Sequence, residues 1–478
     1  MIQRLCLALA VASCVASCGI LEPKLPSATP AVPAQWPLPP FTASTPPAAS
    51  ATDVATADIG WRDFFVNQKL EELIAIALAN NRDLRIAVLT VDQARAFYRI
   101  QRADRVPSIG VTGTVIRSGG EAPITSFGGG GLVSELNTVD LGITAFELDL
   151  FGRVRNLSVA ASQRYFAQEE ARRSAQLSLI AEVANAYLTL AADRELLRVS
   201  QATFETYEDS FALTERRYQY GAVSELDVQQ ARTSVEAARA DVARFTGIVA
   251  QDINALNLLV GLPVDARLLP EHMDDALSGL TELPAGLPSQ VLMRRPDVLQ
   301  AEHALRATNA NIGAARAAFF PSISLTGAIG MASTDLSELF SSRMDTWSFT
   351  PSISIPIFQG GRLRANLDAT YAERGIALAQ YERAIQVGFR EVSDALALSS
   401  TLAAQRRAQE ALVEAATKAE ALSRARYEAG RDSYLVQLDA QRTLYGAQQG
   451  LVSTRLAEQT NRVVLYKVLG GGWNERSP

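Results

Sequence analysis

Side chains able to do covalent or metal chemistry are few and oddly placed. The three cysteines, Cys6, Cys14 and Cys18, all fall within the first eighteen residues, and the two histidines, His272 and His303, lie far from them and from each other. No spacing of Cys, His, Asp or Glu resembles a metal site, so no metal and no cofactor is expected, and both histidines are assigned structural roles. Acidic pairs such as Asp274 and Asp275 sit in a Pro-bounded linker, without the nucleophile, base and stabiliser that catalysis requires. The chain does not read as an enzyme. What remains is thiol chemistry at the amino end.

Met1 to Cys18 carries one positive charge, at Arg4, and an apolar stretch from Leu5 to Val15, the length of a secretory signal rather than of a membrane span. It ends in Val15-Ala16-Ser17-Cys18, which resembles the bacterial lipobox. There, small residues admit a peptidase that cuts before a cysteine carrying thioether-linked diacylglycerol. The expectation is a signal over 1–17 and acylation of Cys18. Val11-Ala12-Ser13-Cys14 repeats the pattern, but cutting there would leave a shorter apolar run and a spare thiol, so Cys14 is the alternative. An ordinary signal peptide with incidental cysteines is the other reading. Gly19, rather than Asp, follows the cysteine, as in lipoproteins sorted to the outer membrane. Residues 18–60 then read as a lipidated tether, because 22–50 is rich in Pro, Ala, Ser and Thr and favours extended backbone over burial.

The elements that would position such an anchor follow from composition and pattern. With 478 residues, 48% of them hydrophobic and 20% charged, the chain can build packed cores, and its length suggests about three ordinary domains. Net charge is −6 and the arginine pairs are scattered, which disfavours nucleic acid as a partner. After the signal, no apolar stretch reaches the roughly 18 residues a membrane helix needs, so any crossing must use β-strands.

The chain also repeats itself. Arg217-Tyr218, Gly221, Ser224, Leu226 and Ala231 reappear as Arg426-Tyr427, Gly430, Ser433, Leu435 and Ala440, each shifted by 209 (427 − 218 = 209). Pro107-Ser108-Ile109, Thr112 and Gly113 reappear as Pro321-Ser322-Ile323, Thr326 and Gly327. The expected organisation is a first repeat over 61–261, a linker over 262–289, a second repeat over 290–472 and a tail over 473–478.

Within each repeat a stretch of period two precedes a long stretch of helical period. Ile323, Leu325 and Ile329 alternate with small or polar residues, as do Trp347, Phe349, Ile353, Ile355 and Ile357. Two further candidates are 107–117, and 138–150 with Leu141 and Ile143, then Phe146, Leu148 and Leu150. The β-hairpins are placed at about 107–150 and 321–358, with outer loops at 118–137 and 331–345. One apolar and one small, polar face is the lipid-out, lumen-in pattern of a membrane barrel, although a half-buried sheet of a soluble protein would share it. Pro351 and Pro356 argue against a central strand there.

Between Gly152 and Gly221 there is neither Gly nor Pro, and an unbroken helix of that length would reach roughly 100 Å. Leu177, Ile180, Ala184, Tyr187 and Ala191, then Phe204, Tyr207, Phe211 and Tyr218, step along it by threes and fours or sums of them, as in a coiled-coil seam. Long helical hairpins are therefore expected over about 152–259 and 362–469. The fold class is mainly α with a small β part. Four strands cannot close a barrel, and open edges are not tolerated in lipid, so the chain must oligomerise.

At this point the sequence resembles the TolC/OprM outer-membrane factors, in their lipoprotein (NodT-like) branch, over nearly the whole mature chain. The resemblance rests on Trp61-Arg62-Asp63-Phe64-Phe65, Asn80-Asn81-Arg82-Asp83-Leu84, Leu287-Pro288-Ser289, Arg294-Arg295-Pro296-Asp297-Val298, Phe320-Pro321-Ser322-Ile323 and Pro356-Ile357-Phe358-Gln359-Gly360-Gly361-Arg362. It implies a homotrimer in which each protomer gives four strands to one 12-stranded barrel and its helices to an α-barrel. It further implies a passive efflux duct of the Gram-negative outer membrane. Its partners would be a periplasmic adaptor and an inner-membrane transporter, expected to be a proton-driven RND pump, with outer-membrane lipid reached through the acyl chains. Cargo would be small toxic compounds or drugs. The alternatives are protein secretion of type I, metal-ion efflux, and a periplasmic adaptor, the last disfavoured by the two tandem hairpins.

The same resemblance singles out the helical tips. Leu435 and Asp439, four apart on one helix face, match the positions the family uses as a hydrophobic and an acidic constriction. TolC has a second acidic ring where this chain has Val436, and an arginine where it has Asp432. Gly430, Arg431, Asp432 and Ser433 at this tip, with Gly221, Ala222, Val223 and Ser224 at the other, match its adaptor-contact surfaces. For Asp432, Ser433 and Ser224 the competing reading is helix capping, and for Asp439 it is a solvated face.

Overall fold

A computed structural model of the chain describes residues 21–27, 32, 33, 36, 59–119, 133–277, 280, 289–341, 345–472 and 474–477. Cys18 and Cys14 lie outside these residues, as do most of the tether, Leu287-Pro288 and parts of both outer loops.

In chain order the helices and strands are α1 (Trp61–Phe64), α2 (Gln68–Asn80), α3 (Arg82–Ala103), β1 (Ile109–Gly119), β2 (Val133–Leu148), α4 (Arg153–Gln219), α5 (Glu225–Val260), α6 (Met273–Leu277), α7 (Pro296–Ala317), β3 (Ser322–Ser333), β4 (Asp345–Ser354), α8 (Arg362–Glu428) and α9 (Tyr434–Val468). The chain forms two compact units. One comprises 1–29, 90–169 and 300–382, and the other 30–89, 170–299 and 383–478. Each unit draws on both sequence repeats.

The first unit holds the sheet, antiparallel throughout and ordered β1-β2-β3-β4. Its register aligns Val111, Leu141, Ile329 and Trp347 in one cross-strand row. All four are exposed, from 46% at Leu141 to 79% at Trp347. A soluble sheet would bury such a row. Left bare, it is a surface built for a hydrophobic surrounding. The opposite face carries Thr112, Asp140, Gly330 and Thr346 in register. A Cβ at Gly330 would overlap the Asp140 side chain and the Val139 carbonyl, so that face is packed closely enough to require glycine. Pro351 lies inside β4, opposite Leu325 of β3, and within one chain β4 is an edge of the sheet.

One irregularity explains a break in the sequence pattern. Ile143 pairs with Gly327 and Phe146 with Leu325, so Thr144 and Ala145 together face Thr326. Ala145 takes φ +50° and its N–H donates to Thr326 Oγ1 at 3.1 Å. This β-bulge shifts parity by one. Leu141 and Ile143 before it, and Phe146 and Leu148 after it, therefore share a face.

In the second unit the motifs that carried the resemblance prove to be core and caps. Phe64 stacks on Tyr466, ring centroids 3.9 Å apart and 5° from parallel, and the Tyr466 hydroxyl donates to the Ile59 carbonyl at 2.7 Å. Asn81 accepts from the Leu84 N–H at 2.8 Å to cap α3, and donates to the Leu259 carbonyl at 2.8 Å. Buried Arg295 donates to Asp297 at 3.0 and 2.8 Å, to Glu391 at 2.7 Å and to the Val468 carbonyl at 2.9 Å. Gly388 of α8 makes room for it, since a Cβ there would stand 3.3 Å from the guanidinium.

α4 and α8 are both 67 residues long. On α4 the seam from Leu177 to Ala191 is buried as expected, whereas Tyr218, in the last turn of the helix, is exposed.

Between α4 and α5, Asp193 and Asp252 share a hydrogen bond. Burial, then the bond to Asp252 and its charge, pushes Asp193 from 3.8 up to about 6, and burial raises Asp252 as well. The folded chain thus binds more protons than the unfolded one between these values, so stability falls as pH rises through that window and levels off above it. Asp252→Asn is expected to flatten this decline and to raise the thermal midpoint above pH 6, measured by thermal denaturation at pH 4 to 8.

Candidate functional site at the helical tips

The two tips are built from the same loop. Gly221 N–H donates to the Tyr218 carbonyl and Ala222 N–H to that of Arg217, both at 2.8 Å. At the second tip Gly430 donates to Tyr427 and Arg431 to Arg426, both at 2.9 Å. These paired bonds form the Schellman motif that ends a helix with a left-handed residue. Gly221 has φ +73° and Gly430 φ +70°, a region only glycine enters without strain. A Cβ at either glycine would meet nothing within 4 Å, so both turns are open to a partner.

Beyond the shared turn the tips diverge. Ser224 and Asp227 form a reciprocal capping box at the start of α5, the Asp227 N–H donating to Ser224 Oγ at 3.3 Å and the Ser224 N–H to Asp227 Oδ2 at 2.9 Å. Ser433 occupies the equivalent N-cap of α9 but makes no side-chain cap bond. Asp432 instead accepts from Arg426, Nε to Oδ2 at 2.6 Å and Nη2 to Oδ1 at 2.8 Å. The bond to Arg426 holds the Asp432 carboxyl below its ordinary range, so the pair survives at neutral pH and is lost only as pH falls through that lowered value. The capping reading therefore holds for Ser224 and not for Asp432.

One face of α9 is anchored. Tyr434 and Leu438 pack with Tyr427 and Ala231, and the Gln441 amide donates to Ser210 Oγ at 3.1 Å. Tyr427 exchanges a hydrogen bond with Thr214 at 3.1 Å. Burial pushes the Tyr434 phenol well above its ordinary range, so it stays protonated. The other face is free. Leu435 is 58% exposed, Val436 and Asp439 are exposed beside it, and Leu435 and Asp439 stand one turn apart. Gly221, Ala222, Ser224, Gly430, Arg431 and Ser433 are exposed, and Val223 and Asp432 half-buried.

Arg217, which the sequence marks as the repeat partner of Arg426, proves to join the tips. Arg217 lies over the Tyr427 ring at 4.4 Å and donates to the Tyr427 and Glu428 carbonyls at 3.0 and 2.9 Å, closing the end of α8 with a cation. Its repeat partner Arg426 turns to its own loop. The 209-residue offset showed the equivalence of the two arginines and could not show which one crosses.

Ser224→Ala should cost about 1 kcal/mol locally, roughly a fivefold loss of amide protection at Asp227 in hydrogen exchange. Ser433→Ala, which removes no cap bond, should leave tip protection nearly unchanged.

The family profile described as outer membrane efflux protein matches residues 73–262 and 287–471. The toluene efflux pump outer membrane protein TtgC of Pseudomonas putida is 48% identical over 93% of this chain and 91% of its own length. The outer membrane protein OprJ of Pseudomonas aeruginosa is 44% identical, over 90% and 89%. Among solved structures, the open state of the Neisseria gonorrhoeae MtrE outer membrane channel superposes with a TM-score of 0.83 at 36% identity, covering 96% of this chain and 99% of that one.

Proposed function

This chain belongs to the outer membrane efflux protein family and is an outer-membrane efflux channel, and from that premise we propose how it is closed, anchored and gated. Three copies close one 12-stranded barrel, and their helical hairpins complete an α-barrel on the periplasmic side. Cys18 carries the acyl chains. The observation that carries this reading is the bare apolar row across β1 to β4, together with strands that leave β1 and β4 as outer edges.

Threefold symmetry would bring three copies of Leu435 and three of Asp439 to one axis. Their free face on α9, opposite the anchored Tyr434 and Leu438, suits an apolar constriction followed by an acidic one. The gate can open by moving α9 while its buried face slides on Tyr427. The open turns at Gly221 and Gly430, with Ala222, Val223, Ser224, Arg431, Asp432 and Ser433 around them, are the landing surfaces for a periplasmic adaptor coupled to a proton-driven RND pump. The cargo is small toxic organic compounds, a reading supported by likeness to a relative named for toluene efflux.

Asp439→Ala removes the acidic ring and its cation-attracting field. In planar bilayers the shorter side chain at the constriction should raise single-channel conductance at high salt, where the charge is screened, and loss of the field should weaken cation preference at low salt. Unchanged conductance and selectivity would place Asp439 on a solvated outer face instead.

A further inference from the structure

The described start of the tether is held against the body. Arg316 of α7 donates from Nη1 to the Leu21 carbonyl at 2.9 Å, and Asn309 donates from Nδ2 to the Pro23 carbonyl at 2.8 Å and to Glu22 Oε1 at 3.2 Å. Both donors are themselves positioned by α8. Arg316 reaches the Tyr371 hydroxyl from Nε and Nη2, at 3.2 and 2.6 Å, and Asn309 Oδ1 accepts from Arg374 at 3.4 Å. Asn309 is only 2% exposed. A buried amide left without acceptors would carry its full desolvation penalty, and the tether supplies them. Two of the three acceptors are backbone carbonyls, so the recognition is largely independent of tether side chains.

The contacts also have a direction. Leu21 meets Arg316 and Pro23 meets Asn309, so the tether runs antiparallel to α7. Traced back from Pro23 to Leu21, the described tether thus approaches the C-terminus of α7, which leads from Ala317 to the start of β3 at Ser322. Leu21 stands only three positions after Cys18, a reach of about 10 Å at full extension. A free tether from 18 to 60 would instead wander over roughly 35 Å.

We infer that Asn309 and Arg316 form a carbonyl clamp that fixes where the acylated N-terminus enters the lipid leaflet, beside the base of β3. The inference rests on the proposed acylation of Cys18. The clamp turns a long leash into a short one, so that the inner leaflet surface and the membrane-facing strands are held in register on each protomer.

Cutting before Cys18 leaves no other cysteine, and exposed Lys24 can then take a single spin label as Lys24→Cys. In proteoliposomes carrying a nickel-chelating lipid, the label on the otherwise native chain should be immobilised and strongly relaxed by the nickel headgroups. In Arg316→Gln and Asn309→Ala backgrounds it should become mobile while the short acylated segment keeps it within reach of the headgroups, with labelled palmitate incorporation unchanged. Arg316→Lys, which keeps the charge and leaves the buried Asn309 untouched, should be intermediate, and an unchanged thermal midpoint in it would exclude misfolding as the cause. A label equally immobile, or equally mobile, with and without the clamp overturns the inference. Failure of the native chain to incorporate palmitate would instead overturn the acylation of Cys18, while the mobility comparison would still decide the clamp.

Discussion

An unpaired backbone N–H or carbonyl in hydrocarbon costs several kcal/mol, and no lipid group can satisfy it. β1 and β4 each present an outer edge in an antiparallel sheet whose apolar row lies bare. A sheet of this kind is stable in a membrane only when other strands complete both edges, and the same surface in water would invite aggregation. The requirement for further copies thus comes from hydrogen bonding rather than from affinity between helices. The Gly-dependent, closely packed inner face and the bulge at Thr144 and Ala145 give the sheet a way to curve towards closure.

The duplication that builds two hairpins also provides two tips, the second of which carries the proposed gate. Identical turns at Gly221 and Gly430 have kept their backbone bonds while their helix starts have separated in chemistry. One is fastened by a capping box, the other by an arginine–aspartate pair that leaves Ser433 free. Arg217 crosses from the first tip to the end of α8. The result is two tips with different fastenings, of which the second carries Leu435 and Asp439 on its free face. The proposed gate would use this difference, because one element must move while its neighbour stays.

Much of the fold was legible in the sequence because it follows from period and punctuation. Glycines bounded the first long helix, and the change of parity between Ile143 and Phe146 was a visible trace of the bulge, although only the register made its meaning clear. The motifs at Trp61, Asn81 and Arg295 identified the family, yet each turned out to serve packing or capping rather than transport. Three features were not legible. The crossing of Arg217, the meeting of Asp193 and Asp252, and the holding of Leu21 and Pro23 by α7 all depend on which distant side chains meet, and neither periodicity nor spacing encodes that.

A sheet completed by two further copies of this chain fixes the stoichiometry of the particle. The most direct test is the protein mass of the particle extracted from membranes in mild detergent, measured by light scattering with the detergent contribution subtracted. Three chains per particle is the result the account predicts. A stable single chain, or a pair, with native secondary structure and no tendency to associate, would contradict it.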